Sequence, residues 1–146
     1  MKTLMVTGAA GFLGSHFCDE ALSVGWKIVG IDNMFRGKLE NLPNDENFLF
    51  EELDLLNFES LKQTISNYKP EIIVHYAAIN GTEYFYEKPW QVVHNNIAMT
   101  LNLVKAIEEV DYSPEKLVYA SSSEVYGENP SIPTKDITIS NFNIDF

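Results

Sequence analysis

The stretch Thr7-Gly8-Ala9-Ala10-Gly11-Phe12-Leu13-Gly14 constrains this chain more than any other. It lies between an apolar run, Leu4-Met5-Val6, and a helical pattern running from about Phe12 to Val24. Glycines at intervals of three suit a strand-to-helix turn. One permits the sharp bend, another lets backbone approach a pyrophosphate, and a third lets the helix pack tightly on a sheet. The helix N-terminus then offers free N–H groups and its positive dipole end to a diphosphate. Taken alone, such a turn is equally consistent with a tight loop of no chemical purpose. Asp32 adds weight, because it closes the next predicted strand, Lys27 to Ile31, 18 residues beyond Gly14. A carboxylate there can accept hydrogen bonds from a ribose 2′-hydroxyl and would repel a 2′-phosphate, which favours NAD over NADP. Arg36, close by, keeps NADP open. No Lys-Ser/Thr follows Gly14, so a P-loop is excluded. A methyltransferase, which also uses a glycine-rich first turn and an acid after the second strand, stays open at this point.

The rest of the chain alternates short apolar runs with helical periodicity. Gly25 stops the first helix, Phe48 to Leu53 reads as a third strand, and Asn57 caps a helix through Ile65 that Pro70 bars from continuing. Ile72-Ile73-Val74 is a continuous apolar strand of the kind covered on both faces. Pro89 occupies a position that the first turn of a helix tolerates. From there Val93, Ile97, Leu101, Val104 and Ile107 recur at three- and four-residue spacing, predicting a long amphipathic helix to about Val110. Leu117 to Ala120 is the fifth strand. Strand and helix in this alternation imply parallel pairing with right-handed crossovers: an α/β fold, a Rossmann-type doubly wound parallel sheet. The whole chain, 1–146, reads as one domain, with no linker or internal repeat, and residues from Gly127 on show no clear periodicity.

Charge narrows the partners. Ten Lys and Arg against 21 Asp and Glu give a net −11, which argues against nucleic-acid or membrane-surface binding. A pocket for one phosphorylated ligand is still permitted. Gly8, Gly11 and Gly14 interrupt the N-terminal apolar run, so neither a signal peptide nor a membrane span is expected, and the reading is cytoplasmic. Cys18, the single cysteine, precludes an internal disulfide, suits a reducing compartment and reads as buried packing. His75 reads as a hydrogen-bonded core histidine, and His16 and His94 lack spacing-matched partners, so no metal is assigned.

Six pieces in order now resemble the extended short-chain dehydrogenase/reductase family, the NAD-dependent nucleotide-sugar epimerases and dehydratases. They are the glycine turn; Asp32-Asn33 with Arg36-Gly37 and Asn41-Leu42; Asp54-Leu55; His75-Tyr76-Ala77-Ala78; Asn96 to Thr100; and Ser121 to Gly127. The resemblance implies that backbone at Phe12 and Leu13 cradles the pyrophosphate and that Asp32 and Asn33 hold the adenosine ribose. It implies that Asp54 and Leu55 border the adenine, that Ala77 and Ala78 admit the cofactor, and that Asn96 lies near it. Met99 departs from the family's usual glycine. Asp32 and Asp54 have an alternative reading as turn or helix caps.

The same resemblance implies chemistry around the nicotinamide by a tyrosine base, a lysine four residues later and a Ser/Thr after the fifth strand. Ser122 matches the last of these, with Ser123 beside it. Glu124 matches the glutamate that takes the C5 proton in 4,6-dehydratases, and epimerases and decarboxylases carry one there too. The tyrosine-lysine pair is expected some twenty to thirty residues after Gly127, roughly, given the spread in element boundaries. Tyr84/Lys88 and Tyr112/Lys116 have the internal spacing but lie outside that place, and Pro114 interrupts the second. The resemblance therefore implies that the chain is the cofactor-binding N-terminal part of a longer enzyme, its sheet incomplete at the C-terminal side, the whole being a homodimer acting on a nucleotide sugar by transient C4 oxidation. Alone it is expected to be inactive, with an uncovered apolar sheet edge. The alternatives are a net reductase of the same family and a non-catalytic dinucleotide sensor. The segment Asn80 to Tyr86 reads as a loop, facing substrate or packing on itself.

Overall fold

The computed structural model describes residues 2–122. Five strands, β1 (Thr3–Thr7), β2 (Lys27–Asp32), β3 (Phe48–Glu52), β4 (Ile72–His75) and β5 (Lys116–Tyr119), alternate with helices α1 (Phe12–Ser23), α2 (Phe58–Tyr68), α3 (Thr82–Glu87) and α4 (Pro89–Glu109). The strands form one sheet in the order β3-β2-β1-β4-β5. Every neighbouring pair is parallel, with Met5 opposite both Val29 and Ile73. The step from β1 to β2 runs toward one edge of the sheet, while those from β3 to β4 and from β4 to β5 run toward the other. Right-handed crossovers therefore send α1 to one face and α2 and α4 to the opposite one.

Strand alternation separates two cores accordingly. Leu4, Val6, Ile28 and Val74 meet Cys18 and Ala21 of α1. Met5, Val29, Ile31 and Ile73 meet Leu61 and Ile65 of α2 with Met99, Leu103 and Ala106 of α4. Met99, where the family carries glycine, is thus ordinary core. Cys18 is fully buried, and loss of solvation, with Asp19 adding to it, pushes its thiol up to about 12. Among the described residues no helix is long and apolar enough to cross a membrane.

Local sequence explains the element ends. Asn57 Oδ1 accepts the Ser60 N–H at 3.3 Å and so caps α2. That helix runs past the predicted Ile65 to Tyr68, where Lys69, left-handed at φ 42°, ends it before Pro70. Pro89 opens α4 at its first position.

Two expectations are corrected. The predicted core stripe of α4 faces outward: Ile97 and Leu101 are 54% and 62% exposed, and Trp90, Val93 and Val104 are exposed beside them. The face that packs is Val92, Met99, Leu103 and Ala106, with only Ile107 of the predicted set against the core. The segment from Asn80 to Tyr86 is not all loop, since residues from Thr82 form α3. β5 is an edge strand among the described residues, and Leu117, Val118 and Tyr119 are exposed on it. Between β2 and β3 there is no α-helix; the connection carries one 3₁₀ turn, Leu39–Asn41.

Candidate functional site

The carboxyl edge of the sheet opens into a cavity of about 640 Å³ lined by the glycine turn and the exits of β2 and β4. That edge, where α1 begins on one face while α2 and α4 serve the other, is where open parallel sheets place ligands. Gly8 adopts φ +72°, and a Cβ on it would stand 2.8 Å from the Ala77 nitrogen, so only glycine lets the turn pass the end of β4. α1 has no side-chain cap and no acidic residue in its first turn. The amides of Phe12, Leu13 and Gly14 have no acceptor among the described residues. Three N–H groups at a helix N-terminus thus face a cavity with their dipole unneutralised, an arrangement suited to a diphosphate.

The exit of β2 holds this turn from outside. Asp32 accepts the Ala10 N–H at 3.0 Å on one carboxylate oxygen and the Met34 N–H at 2.9 Å on the other. The second bond supports Met34 at φ 58°, a left-handed conformation that a methionine seldom takes. The Ala10 carbonyl accepts the Lys38 N–H and the Asn41 side chain. The turn-cap reading of Asp32 is therefore realised, and its carboxylate keeps lone pairs toward the cavity that it lines. Asn33 donates to Asp54 Oδ2 at 3.1 Å, linking the exits of β2 and β3. Arg36 reaches across the cavity mouth to Asn80, with its guanidinium over the Tyr84 ring at 5.5 Å.

Behind the β4 exit runs a buried relay. Thr100 Oγ1 donates to the Asn96 carbonyl at 3.0 Å, so His75 Nε2 donates to Thr100 Oγ1 at 3.3 Å and His75 Nδ1 accepts the Thr7 hydroxyl at 2.7 Å. Thr7 Oγ1 also accepts the Ala77 N–H at 3.2 Å. Burial pulls the His75 pKa down to about 4, and the ring stays neutral, as a core histidine.

Of the sequence-predicted residues, Gly8, Gly11, Phe12, Leu13, Gly14, Asp32, Asn33, Arg36, Ala77 and Ala78 line this one cavity. Asp54, Leu55 and Asn96 do not. Leu55 is buried, and Asn96 turns its amide to the backbone of Ile79, which does line the cavity. Ser122 follows β5 at the same edge, while Ser123 and Glu124 lie outside the described residues. Sequence reasoning gave no role to Phe35, Lys38 or Ile79, which also line the cavity, as do Tyr76 of the β4 motif and Asn80 of the predicted loop. Their place just after β2 and β4, at the carboxyl edge, was the available signal. Neither decoy pair shares a helical face: Lys88 follows the end of α3, and Lys116 opens β5. No group of three or more potential metal ligands occurs among the described residues.

Comparison with known proteins agrees with this geometry. The family model described as "NAD dependent epimerase/dehydratase family" matches residues 4–143. A UDP-glucuronate 4-epimerase from Thermodesulfobacterium geofontis is 36% identical over 139 residues, covering 89% of this chain and 42% of that protein. A UDP-glucose 4-epimerase from Bacillus subtilis is 32% identical, covering 93% of this chain and 41% of its own. The structure of a Thermus thermophilus UDP-glucose 4-epimerase in complex with NAD superposes with a TM-score of 0.81 at 31% identity, over 95% of this chain and 44% of that one. The chain thus spans about two fifths of these relatives. It belongs to the NAD-dependent epimerase/dehydratase family.

Proposed function

We propose that this chain is the cofactor-binding part of an enzyme that inverts or eliminates at a nucleotide-bound sugar through transient oxidation at C4. The observation that carries the reading is the uncapped start of α1 beside Asp32 in one cavity. NAD, when bound, supplies a reversible hydride acceptor. The chain's own residues do the rest. Phe12, Leu13 and Gly14 donate backbone N–H groups to the diphosphate, Asp32 and Asn33 take the ribose hydroxyls, and Ala77 and Ala78 leave room at the β4 exit. Asp54 and Leu55, beside β2 through the Asn33 bond, border the adenine. Ser122 is assigned to the sugar, to hold the 4-oxygen and relay its proton, and Glu124 would take the C5 proton where the reaction is an elimination. The 4-epimerase relatives favour epimerisation over dehydration.

Because neither Tyr84/Lys88 nor Tyr112/Lys116 can act as the base, the 146-residue chain alone is expected to bind cofactor without turnover. Full-length protein is expected to work in the cytoplasm as a homodimer, with the exposed apolar stripe of α4 supporting a helix-on-helix interface. The test is titration of NAD and NADP into the chain, followed by NMR of UDP-glucose and UDP-glucuronate with full-length protein. NAD binding preferred over NADP, with sugar conversion and no net NADH consumption, is the expected result. No affinity for either dinucleotide would overturn the reading, and stoichiometric NADH consumption would replace it with a reductase.

A further inference from the structure

One helix anchors the chain both after β3 and after β4. Asn102 of α4 is half-buried and donates its amide to the Leu55 carbonyl at 2.9 Å and to the Leu56 carbonyl at 3.3 Å. Those carbonyls belong to the β3 exit, which sits next to Asp32: the Leu53 N–H bonds the Asp32 carbonyl at 2.9 Å. Six residues earlier, Asn96 accepts the Ile79 N–H at 2.7 Å and donates to the Ile79 carbonyl at 2.9 Å, closing both backbone groups at the β4 exit. Neither asparagine lines the cavity: Asn96 fixes Ile79, which does, and Asn102 fixes Leu55 and Leu56, which sit behind the lining beside the β2 exit. The two loops belong to strands separated by β2 and β1, so no strand pairing ties one to the other.

We propose that Asn102 is a positioning residue for the adenosine end of the cofactor pocket and Asn96 for the opposite end, so that α4 sets the two ends through separate anchors. The proposal rests on the dinucleotide reading above. An asparagine is suited to the task because its NH₂ can satisfy two carbonyls together, whereas an aspartate of the same shape offers no proton. Asn102→Asp therefore sets a carboxylate against two carbonyl oxygens and releases Leu55 and Leu56.

AMP contains only the adenosine end, so comparing it with NAD separates the anchors. Calorimetric titration of both ligands into the full chain is expected to show Asn102→Asp weakening AMP and NAD by the same factor, about tenfold for two lost hydrogen bonds. Asn96→Asp is expected to weaken NAD several-fold more than AMP. Asn102→Ser, too short to reach either carbonyl, should repeat the Asn102→Asp pattern and serves where the aspartate variant does not fold. Unchanged AMP affinity in both Asn102 variants, or an identical NAD-to-AMP ratio in the Asn96 and Asn102 variants, overturns the proposal while the cofactor reading stands. A wild-type chain that binds neither ligand overturns both.

Discussion

A Cβ placed on Gly14 would stand 2.0 Å from the carbonyl oxygen of Gly8, so the third glycine of the turn is fixed by the first. The contact is with backbone, which cannot rotate away as a side chain does. Gly14→Ala must push α1 off the turn and is expected to cost about 1–3 kcal/mol, as overpacking of a tight site does. Chemical denaturation of the variant measures it, and a midpoint equal to wild type would show that the turn yields.

Asp32 holds Ala10 and Met34 through separate oxygens. Asp32→Ala leaves two amides without their acceptor and Met34 without support at positive φ. A loss of about 2 kcal/mol is expected, in the range for hydrogen bonds to a charged group. Asp32→Asn keeps one acceptor oxygen and should lose about half of that. Both variants should also narrow the gap between NAD and NADP, because the charge that repels a 2′-phosphate is gone. An unchanged NAD-to-NADP ratio would remove Asp32 from the ribose.

His75 makes stability depend on pH. Its folded pKa of about 4 lies below the ordinary 6.5, so the unfolded chain binds a proton that the folded chain refuses. Stability therefore rises with pH between about 4 and 6.5 and is fully present above 6.5; over that window it falls by about 2–3 kcal/mol on acidification. His75→Gln should flatten this segment of the profile in urea titrations at stepped pH. A variant with the wild-type slope would assign the dependence to other groups.

The stripe Trp90, Val93, Ile97, Leu101 and Val104 predicts association. Ile97→Glu combined with Leu101→Glu should lower the sedimentation coefficient of the chain and leave its circular-dichroism spectrum unchanged, since neither residue packs inside. Equal sedimentation of the double variant and wild type would move the interface elsewhere, with the β5 edge next in line.

α4 also shows where sequence stops being informative. It carries two apolar stripes side by side, Val92-Met99-Leu103-Ala106 and Val93-Ile97-Leu101-Val104. Both keep helical spacing, and periodicity alone cannot say which meets the sheet. The outward stripe is the one its spacing from Pro89 points to, while the sheet takes the other. The glycine turn and Asp32 are legible from their spacing next to strand ends, and Ala77 and Ala78 through the family resemblance; all of them line the one cavity. Phe35, Lys38 and Ile79 are not, because they join the cavity through the course of two loops. α3 escaped because six residues are too few to display a helical repeat. Asn102 escaped for a different reason: a polar residue on the flank of a helix reads as solvated until the carbonyls opposite it are seen.

The passage from β2 to β3 carries no helix, and this decides which side of the molecule is weaker. Its residues curl over the cavity mouth, so among the described residues α1 alone roofs its flank. Five strands at roughly 4.8 Å spacing span about 19 Å, whereas one helix with its side chains is about 10–12 Å across. Phe48 and Val118 accordingly lie near the margins of that roof, one half-buried and the other exposed. Solvent reaches the sheet first from there, so amide exchange on the outer strands should outpace that on β1, and the flank under α2 and α4 should be the last to open.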